Sequence, residues 1–125
     1  MGRQADKLFS LIVRSKGQCA AHAPKESDPF GTGCTVGLQC AHIISRSYRS
    51  VRWSEDNAMP LCARAHVYYT HHPVEWDAFV TERIGAADFA ALKKRALARW
   101  DGDLENVLVR LAARAVSLGI KPEGK

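Results

Sequence analysis

Three residues in the stretch LQCAHIISRSYRSVRWSEDNAMPLCARAHVYY, residues 38–69, have side chains that could act together on a phosphate: His42, Asn57 and His66. Hydrolysis of a phosphodiester needs an activated water, neutralised charge on the phosphate and a stabilised leaving oxygen. A histidine titrates near neutrality and suits the base. A second histidine can ligate a divalent ion that carries the charge. An asparagine that bonds backbone can hold the loop that aims the base. The competing reading is that these are ordinary core and surface residues.

The cysteines offer a second chemistry. A tetrahedral zinc site takes four Cys or His ligands, delivered in close pairs from turns. Cys19 and His22 have the spacing of one pair. In CARA, Cys62 is present, but Ala65 stands where its partner cysteine would be. Cys34 can fill that gap, giving the set Cys19, His22, Cys34 and Cys62. The alternative is that these are buried thiols beside a satisfied histidine. Cys40 lies two residues before His42, on the same strand face. It reads as a packed thiol and as the reserve ligand.

The elements that must position these residues follow from pattern. Ala5, Leu8, Phe9, Ile12 and Val13 recur at helical spacing, which predicts an amphipathic helix over residues 4–15 ending near Gly17. Residues 20–37 are rich in Pro, Gly, Ser and Asp and read as a long loop that something must tie down. GLQCAHII (37–44) reads as a short strand and SRSYRSVRWSED as a basic connecting loop. NAMPLC (57–62) is a second strand, limited by Pro60 to an edge or a bulge. ARAHVYYT starts a helix of about two turns. Beyond it, Pro73 opens a helix that runs to Gly85, and Phe89, Leu92, Ala96, Leu97 and Trp100 mark another. Leu104, Val107, Leu108, Leu111, Ala112, Ala115 and Leu118 stripe the last helix, with Asp103 as its N-cap.

Composition narrows the class. The 125 residues are one domain's worth, 46% hydrophobic and 25% charged, as in a globular protein. Residues 1–125 therefore read as one domain without an internal repeat. The net charge of +5 favours an anionic partner, nucleic acid first, although a merely solvated basic surface is the plainer account. No apolar run has the ~20 residues of a membrane span, and the N-terminus does not read as a signal peptide. The expectation is a cytoplasmic protein with reduced thiols and no membrane partner. There is no Gly-rich nucleotide loop and no Ser-His-Asp order.

These motifs, taken together, resemble the HNH nucleases, and among them phage and prophage proteins. The resemblance rests on Leu38 to Arg46 (LQCAHIISR), on Arg52-Trp53 with Asp56-Asn57-Ala58, on Leu61-Cys62 with His66, and on Tyr68 to Trp76. It covers roughly residues 5–83, and residues 86–120 add little to it. It implies an α+β fold: a treble-clef-like ββα-metal core with structural zinc, an N-terminal helix and a helical C-terminal extension. It also implies a metal-dependent endonuclease that hydrolyses DNA phosphodiester bonds in a bacterial host cell, beside phage packaging or recombination proteins. By the same resemblance, His42 matches the general base, Asn57 the loop-orienting residue, and His66 a ligand of a catalytic Mg2+, Mn2+ or Ni2+ ion. Arg46, Arg49 and Arg52 match phosphate-contacting positions, and Cys19, Cys34 and Cys62 lie where the structural Zn2+ is held.

The chain departs from that family at two positions. Many members carry a second metal ligand, Asp or His, where this chain has Ala41, and Ala65 removes one zinc cysteine. A catalytically degenerate, zinc-stabilised DNA-binding module is therefore the alternative. A third reading has the C-terminal helices docking a protein partner. His71 and His72 read as a cap and turn before Pro73, or as replacement ligands. Lys93, Lys94, Arg95 and Arg99 form either a solvated helix face or an extension of a phosphate-tracking surface.

Overall fold

The structure, a computed structural model, describes residues 2–21 and 37–120. Along the chain run α1 (Gly2–Arg14), β1 (Gln39–His42), α2 (Arg49–Arg52), a 3-10 turn (Glu55–Asn57), β2 (Ala58–Leu61), α3 (Ala63–Thr70), α4 (Pro73–Ile84), α5 (Ala86–Ala96) and α6 (Leu104–Ser117). The fold is α+β, mostly helical around a two-stranded antiparallel sheet.

Each helix follows from local chemistry. α1 buries Ala5, Phe9, Ile12 and Val13, one face of a 3.6-residue repeat. It ends as the chain turns at Gly17, whose φ of 75° suits a residue without Cβ. α4 begins on Pro73, where the missing N–H costs nothing. α6 is capped by Asp103, whose carboxylate accepts the Glu105 N–H at 2.8 Å. α5 stops at Ala96, earlier than its apolar spacing suggests. Leu97 is 79% exposed, and Trp100 instead packs on Trp53, ring centroids 5.9 Å apart.

The hairpin divides the core. Pairing runs Gln39 with Leu61, Cys40 with Pro60, Ala41 with Met59 and His42 with Ala58. Alternation sends Ala41, Met59 and Leu61 into one apolar cluster, shared with Ala65, Val80, Phe89 and Leu92. Ala58 joins the opposite cluster, where Phe9 and Ile12 of α1 meet Val107 and Leu111 of α6. Complete burial of a side chain such as Phe9 contributes about 2–3 kcal/mol. α6 is thus not an appendage to the hairpin, because it covers the apolar face of α1. Pro60 lacks a ladder donor, as an edge strand permits, while its carbonyl accepts the Ala20 N–H at 2.8 Å.

Candidate active site

The segment read as an irregular basic loop joins the strands and contains two short turns of helix. Asn57 locks it from within. This side chain is fully buried, at 0% exposure. Its Oδ1 accepts the Ile44 N–H at 2.8 Å, and its Nδ2 donates to the carbonyls of Ile44 at 3.0 Å and Val51 at 3.1 Å. One amide therefore ties the exit of β1 to α2, with each side-chain atom matched to a partner of the right polarity. Arg95 binds Asp56 and Ser54 from α5, and Arg114 binds Glu55 from α6, so the same turn is also held from outside.

His42 stands at the end of β1. Its Nε2 lies 2.9 Å from the Arg52 carbonyl. A carbonyl only accepts, so Nε2 carries the proton and Nδ1 keeps the lone pair. Phe9 backs the ring, centroids 5.5 Å apart. Burial lowers the His42 pKa below its ordinary value, and the positive charges of Arg46 and Arg52 act in the same direction. The Arg52 carbonyl and Asp6 oppose them. The imidazole is therefore neutral at pH 7.

His66 lies on α3. Its Nδ1 is 2.6 Å from Gln39 Oε1, which accepts the Nδ1–H and leaves the Nε2 lone pair available. Burial lowers its pKa as well. Gln39 and Ala41 share the strand face turned toward α3, and His42 lies on the other. A cavity of about 250 Å³ nonetheless reaches both histidines, lined also by Ala41, Tyr69, Thr70 and Trp76.

Among the described residues, no group of three or more His, Cys, Asp or Glu side chains could hold a metal ion. A divalent ion at this cavity would have His66 Nε2 as its protein donor, with water and phosphate oxygens completing the shell. Ala41, 2% exposed, lines the wall with a methyl group that cannot ligate. Cys19 and Cys62 are buried neighbours, the Cys62 N–H donating to Cys19 Sγ at 3.3 Å. Burial raises the Cys19 pKa. Their pairing suits half of a zinc site. His22 and Cys34, the other half of the expected set, lie outside the described residues. Cys40 faces the α1 side, its thiol pushed up to about 11 by burial.

The arginines differ in how far they are engaged. Arg46 is exposed, with Asp6 at 3.7 Å. Arg49 lies over the Trp100 ring, 5.2 Å from its centroid. Arg52 is largely enclosed, its Nε 3.0 Å from Asp6 Oδ1 and its guanidinium over Trp53. His71 and His72 fall at the end of α3. His72 bonds the Tyr68 carbonyl and stacks on the Tyr68 ring, as a cap and turn would. Neither lines the cavity.

Sequence reasoning missed Gln39 and Asp6. Gln39 offers a partial signal, since it shares a strand face with the position before the histidine. Asp6 offers none, because a single acid on an amphipathic helix reads as solvated. In comparisons with known proteins, no family model, curated protein or solved structure matches this chain.

Proposed function

We propose that this protein is a divalent-metal-dependent endonuclease of the HNH type that hydrolyses DNA phosphodiester bonds. The observation that carries the reading is the one cavity reached by both a neutral His42 and a His66 whose Nε2 is left with its lone pair. His42 Nδ1 takes a proton from the attacking water as the new P–O bond forms and the bridging P–O bond breaks. The Arg52 carbonyl then stabilises the imidazolium through Nε2–H. A Mg2+, Mn2+ or Ni2+ ion on His66 would supply Lewis acidity to the phosphate and the leaving oxygen. Asn57 keeps the loop that follows the base closed. Arg46 and Arg49 neutralise the DNA backbone, whereas Arg52, engaged with Asp6, holds the loop. Cys19 and Cys62, the described half of the expected set, would supply two ligands of a structural zinc. The setting is a phage or prophage gene product acting with packaging or recombination proteins.

A second reading has a specific basis, the Ala41 methyl in the cavity wall. A chain that has lost a metal ligand there would bind DNA without cutting it. Plasmid nicking with Mg2+, Mn2+ and Ni2+, comparing wild type with His42→Ala, separates the two. The enzyme reading expects nicking that the variant loses by ~100-fold or more. A wild type no faster than the variant with every ion refutes it and leaves the DNA-binding module.

A further inference from the structure

We propose that Asp6, on α1, is a positioning residue that fixes the ring of His42 by clamping the peptide between Arg52 and Trp53. The inference rests on the nuclease reading for its catalytic consequence, but not for its geometry.

The carbonyl that receives His42 Nε2–H belongs to Arg52, so its orientation is that of the Arg52–Trp53 peptide plane. The side chains on both sides of this peptide end on one carboxylate. Arg52 Nε donates to Asp6 Oδ1 at 3.0 Å, its Nη2 donates to Oδ2, and Trp53 Nε1 donates to Oδ1 at 2.9 Å. A bidentate guanidinium fixes orientation as well as distance. With the indole on the same carboxylate, the peptide has little freedom to rotate. From α6, Arg110 bonds the next carbonyl, that of Trp53, at 3.2 Å.

Asp6 and Phe9 are three residues apart on α1 and so lie on one face. Phe9 backs the His42 ring while Asp6 holds the carbonyl that orients it. A single helix thus restrains the imidazole in two ways. Burial would raise the Asp6 pKa, but bonds from Arg52 and Trp53 and the charges of Arg52 and Arg46 outweigh it. The carboxylate is therefore ionised at neutral pH. The charged and titratable groups around His42 are Asp6 from α1, Arg46 and Arg52 from the loop, and His66 across the cavity.

The test is Asp6→Asn, with Asp6→Glu as the conservative variant. It is read by nitrogen-15 NMR of the histidine rings and by the pH profile of plasmid nicking. In the wild type, a hydrogen-bonded Nε2–H signal from His42 is expected. In Asp6→Asn this signal broadens into exchange with water, and the acid limb of kcat moves to lower pH. Loss of the anion and slackening of the carbonyl both disfavour the imidazolium. kcat falls roughly 10- to 100-fold, the usual range for a group that orients a functional histidine, while KM does not rise. Asp6→Glu recovers part of the loss.

An unchanged His42 signal and an unchanged acid limb in Asp6→Asn overturn the proposal. If the wild type nicks under no metal, the nuclease reading falls and the ring spectrum alone decides the positioning role. Should Asp6→Asn fail to fold, Arg52→Lys keeps the charge but loses the fork, and the same spectral change is expected. Failure of both variants to fold makes Asp6 a structural brace and overturns the assignment.

Discussion

Replacing Asn57 with alanine should release the loop that follows His42. The side chain makes three hydrogen bonds to backbone, one accepted and two donated, from a fully buried position. A typical intramolecular bond contributes about 1 kcal/mol net, so their loss costs about 3 kcal/mol. Any partner left dry adds to this, but Ile44 is half-buried and water can reach its groups. For a domain of this size the midpoint of thermal unfolding should drop by about 10 °C. Asn57→Asp is the control for polarity. It keeps the acceptor for the Ile44 N–H but turns an oxygen toward the two carbonyls, so it should be no more stable than the alanine variant at neutral pH. Urea unfolding of the three proteins gives the numbers directly. An alanine variant within about 1 kcal/mol of wild type would refute the reasoning, because three bonds from a buried side chain cannot be lost so cheaply.

Three further outcomes follow from the same geometry. His42 and His66 both have lowered pKa values, so the folded protein binds protons less readily than the unfolded chain; stability should decline as pH falls through about 6.5, and His42→Gln should flatten the decline in melts between pH 7.5 and 5.5. Arg46→Ala and Arg49→Ala should weaken DNA binding at all sequences and each reduce the salt slope by about 1, whereas Arg52→Ala should chiefly lower thermal stability. Gln39→Ala should weaken Mn2+ or Ni2+ binding by roughly 10-fold in calorimetry, since His66 would lose the acceptor that holds its Nε2 lone pair ready.

The parts of this fold legible in the sequence are those set by local pattern. The α1 stripe, the Asp103 cap, Pro73 at a helix start and the strand–loop–strand–helix order each depend on residues within a few positions of one another. Asn57 was also readable, as an amide between a basic segment and a strand. What escaped was long-range. Nothing local says that α6 covers α1, that Arg52 turns inward to Asp6 while Arg46 stays outside, or that Gln39 reaches His66. α2 was missed because its four residues, RSVR, form less than the amphipathic turns that periodicity detects. Trp100 reads as a helix residue by spacing, yet its indole serves Trp53 instead.

The pairing of α1 with α6 has a bearing on how the molecule is born. The hairpin, His42 and His66 leave the ribosome before α6, so Phe9 stays without its cover until the segment around Val107 and Leu111 has been made. A nascent chain halted before Leu104 would hold His42, Asn57 and His66 yet lack a firm seat for the His42 ring. The seat behind the His42 ring is thereby completed only after α6 has been made, although the hairpin precedes that helix in the chain.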